Sequence, residues 1–168
     1  MTLLYPSAEQ VGIAWIKSLD TVNADVVATA MPSDPTEWAT NGLIQVGVAS
    51  GVGRMYSGTL RNSVLQIDCW ATNPGSQKVP WGKAAELASQ LWYACDDDDA
   101  QQQRLQIGNT PGVFLDVSVF TVYPLSDMRR LVSGGGLDGE STTKTTRDPS
   151  MGYARIQFDL QMNWLVRL

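Results

Sequence analysis

The chain has 168 residues, a length that fits one domain with a single hydrophobic core. Its 12 basic and 17 acidic residues give a net charge of −5, and the basic residues are scattered along the sequence. Autonomous or sequence-specific binding of nucleic acid is therefore disfavoured, since neutralising phosphates requires a clustered positive face. Histidine is absent, which removes the commonest general base and the commonest transition-metal ligand together.

Charged residues make up 17% of the chain, below the usual share of about 25%. A charge-poor surface is typical of a protein that is partly covered by a partner, but neutral polar residues can also supply a soluble surface. No apolar run is long enough for a membrane-spanning helix, and no signal peptide follows Met1. We therefore expect a protein that is made and kept in a cytoplasm, with no membrane partner.

Hydrophobic periodicity predicts two helices. A capping box at Ser7 and Gln10 predicts the first, which ends near Leu19, and an apolar stripe from Ala84 to Cys95 predicts the second. Alternation of apolar and polar residues, or a short apolar run, predicts five strands, at 25–30, 43–49, 62–72, 113–122 and 154–168.

The order of these elements is α-β-β-β-α-β-β, without repeats or a linker. It favours a single α+β domain over residues 1–168, with a mostly antiparallel sheet of about five strands and two helices packed on one face. Strands 43–49 and 62–72 are close enough in sequence to pair antiparallel. The connection from Tyr123 to Gly152 is long for a compact domain, and its Gly/Ser/Thr-rich part at about 132–150 is expected to be flexible. Such a loop either binds a partner or is a tolerated insertion.

No motif for catalysis, a cofactor or a metal stands out. The run Asp96–Asp99 lacks the alternating ligands of a calcium loop and is expected to be a solvated helix end that favours termination. Cys69 and Cys95 match no zinc spacing and are expected to be free and buried. The carboxylates of Asp68, Asp116 and Asp159 could meet on one sheet face as a glycosidase pair, although pairing with arginine or threonine is commoner there. The glycine-rich segments 51–53 and 134–136 lack the rest of a phosphate loop.

Tryptophan is the distinctive residue type. Trp15, Trp92 and Trp164 lie on apolar stripes and are expected in the core, whereas Trp38, Trp70 and Trp81 are placed where an interface can use them. The closing strand adds a polar face, in which Arg155, Gln157, Gln161 and Asn163 alternate with apolar residues. The candidate partner interface predicted from the sequence comprises Trp70, Arg129, Arg130, Arg155, Gln157, Gln161 and Asn163.

The arrangement resembles the tail terminator proteins of long-tailed bacteriophages, especially those of actinobacteriophages. The resembling parts cover nearly the whole chain: the Trp-bearing helix at 11–16 after Tyr5-Pro6, the segments 26–32, 43–48 and 65–71, the Ala-rich helix 83–92, and the alternating last strand. The resemblance lies in the pattern of elements, and the family supplies no catalytic residue to carry over. The Gly/Ser/Thr segment 132–146 is longer here than in the family.

The resemblance implies a structural virion protein that forms a ring, by family habit a hexamer, at the head-proximal end of the tail tube. Such a ring binds tail tube protein, stops its polymerisation and receives a head completion or connector protein, after assembly in the host cytoplasm. Heterologous contacts between subunits close the ring. Two alternatives remain open: another head-tail connector or neck protein, and a small α+β ligand-binding domain or enzyme with a concave pocket.

Overall fold

The computed structural model of the protein describes residues 5–49, 54–57, 60–76, 78–110, 113–131 and 152–167. Helix α1, Ala8–Lys17, begins at the predicted capping box: Ser7 Oγ accepts from the Gln10 amide, and Gln10 Oε1 accepts from the Ser7 amide. Trp15 and Ile16 on its apolar stripe are buried against the sheet. The prediction of this helix is confirmed.

The strands within the described ranges are β1 Val26–Ala28, β2 Leu43–Val48, β3 Arg54–Ser57, β4 Leu60–Asn73, β5 Gln103–Thr110, β6 Val113–Pro124, β7 Arg129–Leu131 and β8 Gly152–Arg167. Six of them lie side by side in the order β1-β2-β4-β8-β6-β5, while β3 pairs with β4 and β7 with β8. β1 runs parallel to β2, and the other described pairs are antiparallel. The predicted antiparallel pairing of β2 with β4 is confirmed.

The predicted architecture as a whole is wrong. The chain does not form a five-stranded antiparallel sheet with helices on one face, but a larger sheet, mixed because β1 is parallel to β2, that curls into a half-barrel. Register shifts between Gly108 and Thr110 in β5 and between Val119 and Thr121 in β6 contribute to the curl, because a bulge bends its strand and increases the local twist.

Three strands escape the sequence prediction for identifiable reasons. β3 and β7 are too short for a period of two to be recognised. β5 alternates only from Arg104 to Ile107 before Gly108 and Asn109, residue types that are depleted from strands. The connection 123–152 is accordingly not irregular throughout, since β6 runs to Pro124 and β7 follows. The predicted flexible loop at 132–150 lies outside the described residues.

Two further helices lie between β4 and β5 in the described residues. Helix α2, Trp81–Ala94, follows Pro80 and buries Leu87 and Leu91, as its apolar stripe predicts. The acidic run after it does more than end a helix: the Asp97 side chain accepts from the Asp99 amide at 3.0 Å and caps a one-turn helix α3, Asp98–Gln101. Its carboxylates therefore lie at a helix N-terminus, where negative charge is favourable.

One core cluster joins both long helices to the sheet. Alternate residues of β4 and β8 enter it, among them Leu65, Ile67, Phe158, Leu160 and Met162, each with no exposed surface. The intervening residues of these strands lie on the opposite side, which we call the outer face. None of the helices in the described part of the chain is long and apolar enough to cross a membrane.

Candidate partner surface

The outer face is organised around one carboxylate, that of Asp68 in β4. Its side chain accepts three hydrogen bonds: Oδ1 from Arg155 Nε at 2.9 Å and from Gln157 Nε2 at 3.0 Å, and Oδ2 from Gln66 Nε2 at 3.0 Å. Asp68 is 4% exposed, so these donors cover it almost completely. A buried charge that is paired and hydrogen-bonded in this way fixes the rotamers of its neighbours.

Trp70 extends this arrangement toward the edge strand β1. It lies directly opposite Arg155 in the β4–β8 ladder, and the guanidinium carbon of Arg155 is 4.9 Å from the indole ring centroid. The indole Nε1 donates to Gln45 Oε1 at 3.1 Å, and Gln45 Nε2 donates to the Thr29 carbonyl at 3.2 Å. The chain of contacts thus crosses from β8 through β4 to β2.

Arg129 extends the same arrangement in the other direction. It lies opposite Gln157 in the β7–β8 ladder and donates to Gln157 Oε1 at 3.1 Å. Its guanidinium is also 3.8 Å from the Asp159 carboxylate. The side chain of Arg129 is 54% exposed, so this end of the outer face is open to solvent. We call the connected set Gln45, Gln66, Asp68, Trp70, Arg129, Arg155 and Gln157 the polar network.

The remaining residues of the predicted interface are distributed differently. Arg130 lies on the core side, where its guanidinium carbon is 4.4 Å from the ring centroid of Trp81 at the start of α2. Asn163 lies on the outer face farther along β8 and donates from Nδ2 to Thr121 Oγ1 at 2.7 Å. Gln161 lies between Val64 and Tyr123 in the sheet register. The structure therefore brings together Trp70, Arg129, Arg155 and Gln157. It places Gln161 and Asn163 farther along β8 on the same face, and it separates Arg130.

The other tryptophans are mostly covered. Trp15 and Trp164 are buried as predicted, and Trp92 packs partly buried against the core. Trp38 is also fully buried, with its ring 6.0 Å from that of Tyr153, so it is not available to a partner as its loop position suggested. It belongs to the one-turn 3-10 helix Pro35–Trp38, which follows the Asp34 cap.

The structure separates the three candidate carboxylates and buries both cysteine thiols. Asp68 and Asp159 contact different arginines, and Asp116 lies opposite Arg167 on another part of the sheet, so the three carboxylates do not form one acid-base pair. Burial raises the pKa of the Cys69 thiol above its ordinary range, and burial together with the charge of Asp96 raises the pKa of Cys95 to about 12. Both thiols are free and protonated at neutral pH, and the described residues contain no cluster of three or more metal-ligating side chains.

Sequence reasoning missed the centre of this surface. Gln45 and Gln66 are not among the candidates from the sequence. Asp68 is a candidate only as a strand carboxylate that forms a catalytic pair or, more commonly, pairs with arginine, because the contacts of these side chains depend on which strands become neighbours. The pairing of β4 with β8 sets Asp68 opposite Gln157, and the pairing of β2 with β4 sets it opposite Gln45. A register prediction for the two long strands is the one signal that points to it.

No protein-family model matches the chain, and no curated protein is significantly similar to it in sequence.

Proposed function

We propose that this chain is a structural subunit of a bacteriophage virion, a tail terminator that assembles into a ring on the head-proximal end of the tail tube. In this role the ring binds tail tube protein and ends its polymerisation. Its opposite face receives a head completion or connector protein. The proposal starts from the resemblance described above, whose segments correspond to α1, β1, β2, β4, α2 and β8.

The observation that supports this function best is the polar network. Recognition by surface complementarity requires side chains that keep their shape before the partner arrives, because ordering them during binding costs affinity. In the polar network Asp68 holds Arg155 and Gln157, and Arg155 in turn covers the ring of Trp70. Arginine and tryptophan are also the residue types that most often dominate binding energy at interfaces.

The chemistry of the network favours an assembly role over a reaction at the same place. Each donor that surrounds Asp68 is directed to a specific acceptor on the sheet, and the carboxylate itself is nearly inaccessible. Arg129 is the member with the most exposed charged group, and it lies at the margin where a partner can reach it. We therefore assign the partner contact to the outer face, with Arg129 at its accessible end.

The direct test is polymerisation of the tail tube protein encoded with this chain. We expect added wild-type protein to shorten the tubes and to appear as a ring at one end in electron micrographs. Tubes of unchanged length without end rings would contradict the proposal. Co-purification with a portal-side adaptor, and not with tube protein, would instead assign the chain to the neck.

A further inference from the structure

The outer edge of β5 is unpaired within the described residues and lies apart from the polar network. Within the described part of the chain β5 is the last strand of the sheet order and pairs only with β6. The described backbone of 103–108 makes no hydrogen bond outside that ladder. In an antiparallel pair every second residue directs its N–H and C=O away from its partner. This edge therefore presents a row of backbone donors and acceptors that another extended chain can pair with.

The edge has only some of the features that usually prevent such pairing, namely the charged side chain of Arg104 and one register shift. β5 has eight residues and contains neither lysine nor proline, and its register shift lies at the far end, between Gly108 and Thr110. The opposite edge of the sheet, β1, has only three residues. Of these two edges, β5 is the one with the length to hold an added strand.

A recess of about 350 Å³ extends inward from β5 across β6 to β8, and it is lined by Arg104, Leu105, Gln106, Asp116, Val117 and Arg167. Arg104 and Arg167 are exposed, and neither forms a hydrogen bond, ion pair or ring contact within the described residues. By contrast, Arg61, Arg130 and Arg155 each lie over an aromatic ring, and Arg129 contacts Gln157 and Asp159. Among the arginines whose side chains are described, the two without a partner therefore lie on the same part of the sheet, in a chain whose net charge is −5.

Other polar groups around the recess are also unpaired. The carboxylate of Asp116 lies opposite both Gln106 and Arg167 in the sheet register but forms no ion pair within the described residues. The hydroxyl of Ser118, opposite Arg104, is buried and has no hydrogen-bond partner among the described residues. Two guanidinium groups against one carboxylate give the recess a net positive charge. This charge favours the binding of an acidic ligand, whereas the carboxylate of Asp116 repels such a ligand and lowers its affinity.

We propose that the β5 edge and this recess bind an acidic extended segment of a partner protein. The segment pairs its backbone with β5 and directs alternate side chains to the outer face, where carboxylates meet Arg104. Arg167, on β8 two strands farther in, adds positive charge to the same face. Bidentate contact with a guanidinium is the strongest interaction available to such a carboxylate. The inference does not depend on ring formation, because it uses a different part of the sheet.

The test uses the full chain and a short synthetic peptide in which Glu alternates with Val, with binding followed by fluorescence anisotropy. We expect saturable binding that weakens with salt, and much weaker binding of the versions with Gln or Lys in place of Glu. N-methylation of the amides on one edge of the peptide should abolish binding, whereas methylation on the other edge should not. Equal affinity for the Glu and Lys peptides, or no effect of either methylation, would overturn the proposal.

Substitutions in the recess give a second test, because removal of a positive charge and removal of the negative charge should change the affinity in opposite directions. Arg104→Gln should weaken binding about tenfold, Arg167→Gln should weaken it by a smaller factor, and Asp116→Asn should strengthen it severalfold. Lys17→Gln on α1, which also removes one exposed positive charge, is the control and should leave binding unchanged. Circular dichroism confirms that each variant is folded. An unchanged affinity in both arginine variants would refute the assignment of the recess.

Discussion

Arg155 donates from Nε to Oδ1 of Asp68 over 2.9 Å, and the two side chains are only 19% and 6% exposed. A pair this buried stabilises the fold only while both partners are present, since removing one leaves the other charge uncompensated. We therefore expect Arg155→Met to lower the free energy of unfolding by about 3 kcal/mol. Urea denaturation measures this.

The same pair allows a double-mutant cycle. Asp68→Asn combined with Arg155→Met should cost less than the sum of the single substitutions, because no isolated charge remains. Arg129→Met is the matched control: its ion pair with Asp159 is long and its side chain is 54% exposed, so it should cost less than about 1 kcal/mol. Strict additivity in the cycle would show that Asp68 and Arg155 do not stabilise each other.

Gly42 occupies a position that no other residue fits. Its φ is +106°, and a Cβ there would lie 2.5 Å from the Trp70 carbonyl oxygen. We expect Gly42→Ala to destabilise the protein by about 1 to 3 kcal/mol in thermal or chemical unfolding. Gly82→Ala in α2 is the control, since a Cβ there meets nothing within 4 Å and alanine favours a helix. Equal effects of the two substitutions would contradict the close approach of Gly42 to β4.

Because the thiols are buried, we expect the free energy of unfolding to fall at high pH. The folded-state pKa of Cys95 is raised to about 12 from an ordinary value near 9, mainly by burial. The unfolded chain therefore loses this proton at a lower pH than the folded chain. The contribution of the buried thiol to the free energy of unfolding is fully present below about pH 9, and it falls by about 1.4 kcal/mol per pH unit above that. The difference in unfolding free energy between wild type and Cys95→Ala should shrink over this range. Parallel pH profiles of the two proteins would argue against a buried protonated thiol.

Parts of the fold follow from local sequence signals, and other parts do not. The capping box at Ser7 and the stripes of α1 and α2 are local, so both helices are predictable. The curl of the sheet depends on bulges near Gly108 and Phe120, which are shifts of register between neighbouring strands and so depend on which strands pair. The polar network could not be predicted for the same reason. Trp70 and Arg155 are interface residues in the sequence prediction, but Asp68 joins them only through the register of the paired strands.

A substitution of Arg129 tests the outer face without destabilising the fold. The side chain is exposed, and it forms only one hydrogen bond, to Gln157, and one long ion pair, to Asp159. We expect Arg129→Glu to weaken ring formation and tube capping while leaving the unfolding transition nearly unchanged. Lys17→Glu, a charge reversal on α1, should leave both activities intact. If Arg129→Glu assembles like the wild type, the outer face is not the partner surface.

The mass and shape of the purified protein in solution test the central claim most directly. One chain has a mass of 18.3 kDa, and light scattering of a hexameric terminator should give six times that value. Electron micrographs of the same sample should show closed rings about as wide as a phage tail. A monomer by light scattering, both alone and mixed with tail tube protein, would contradict the account.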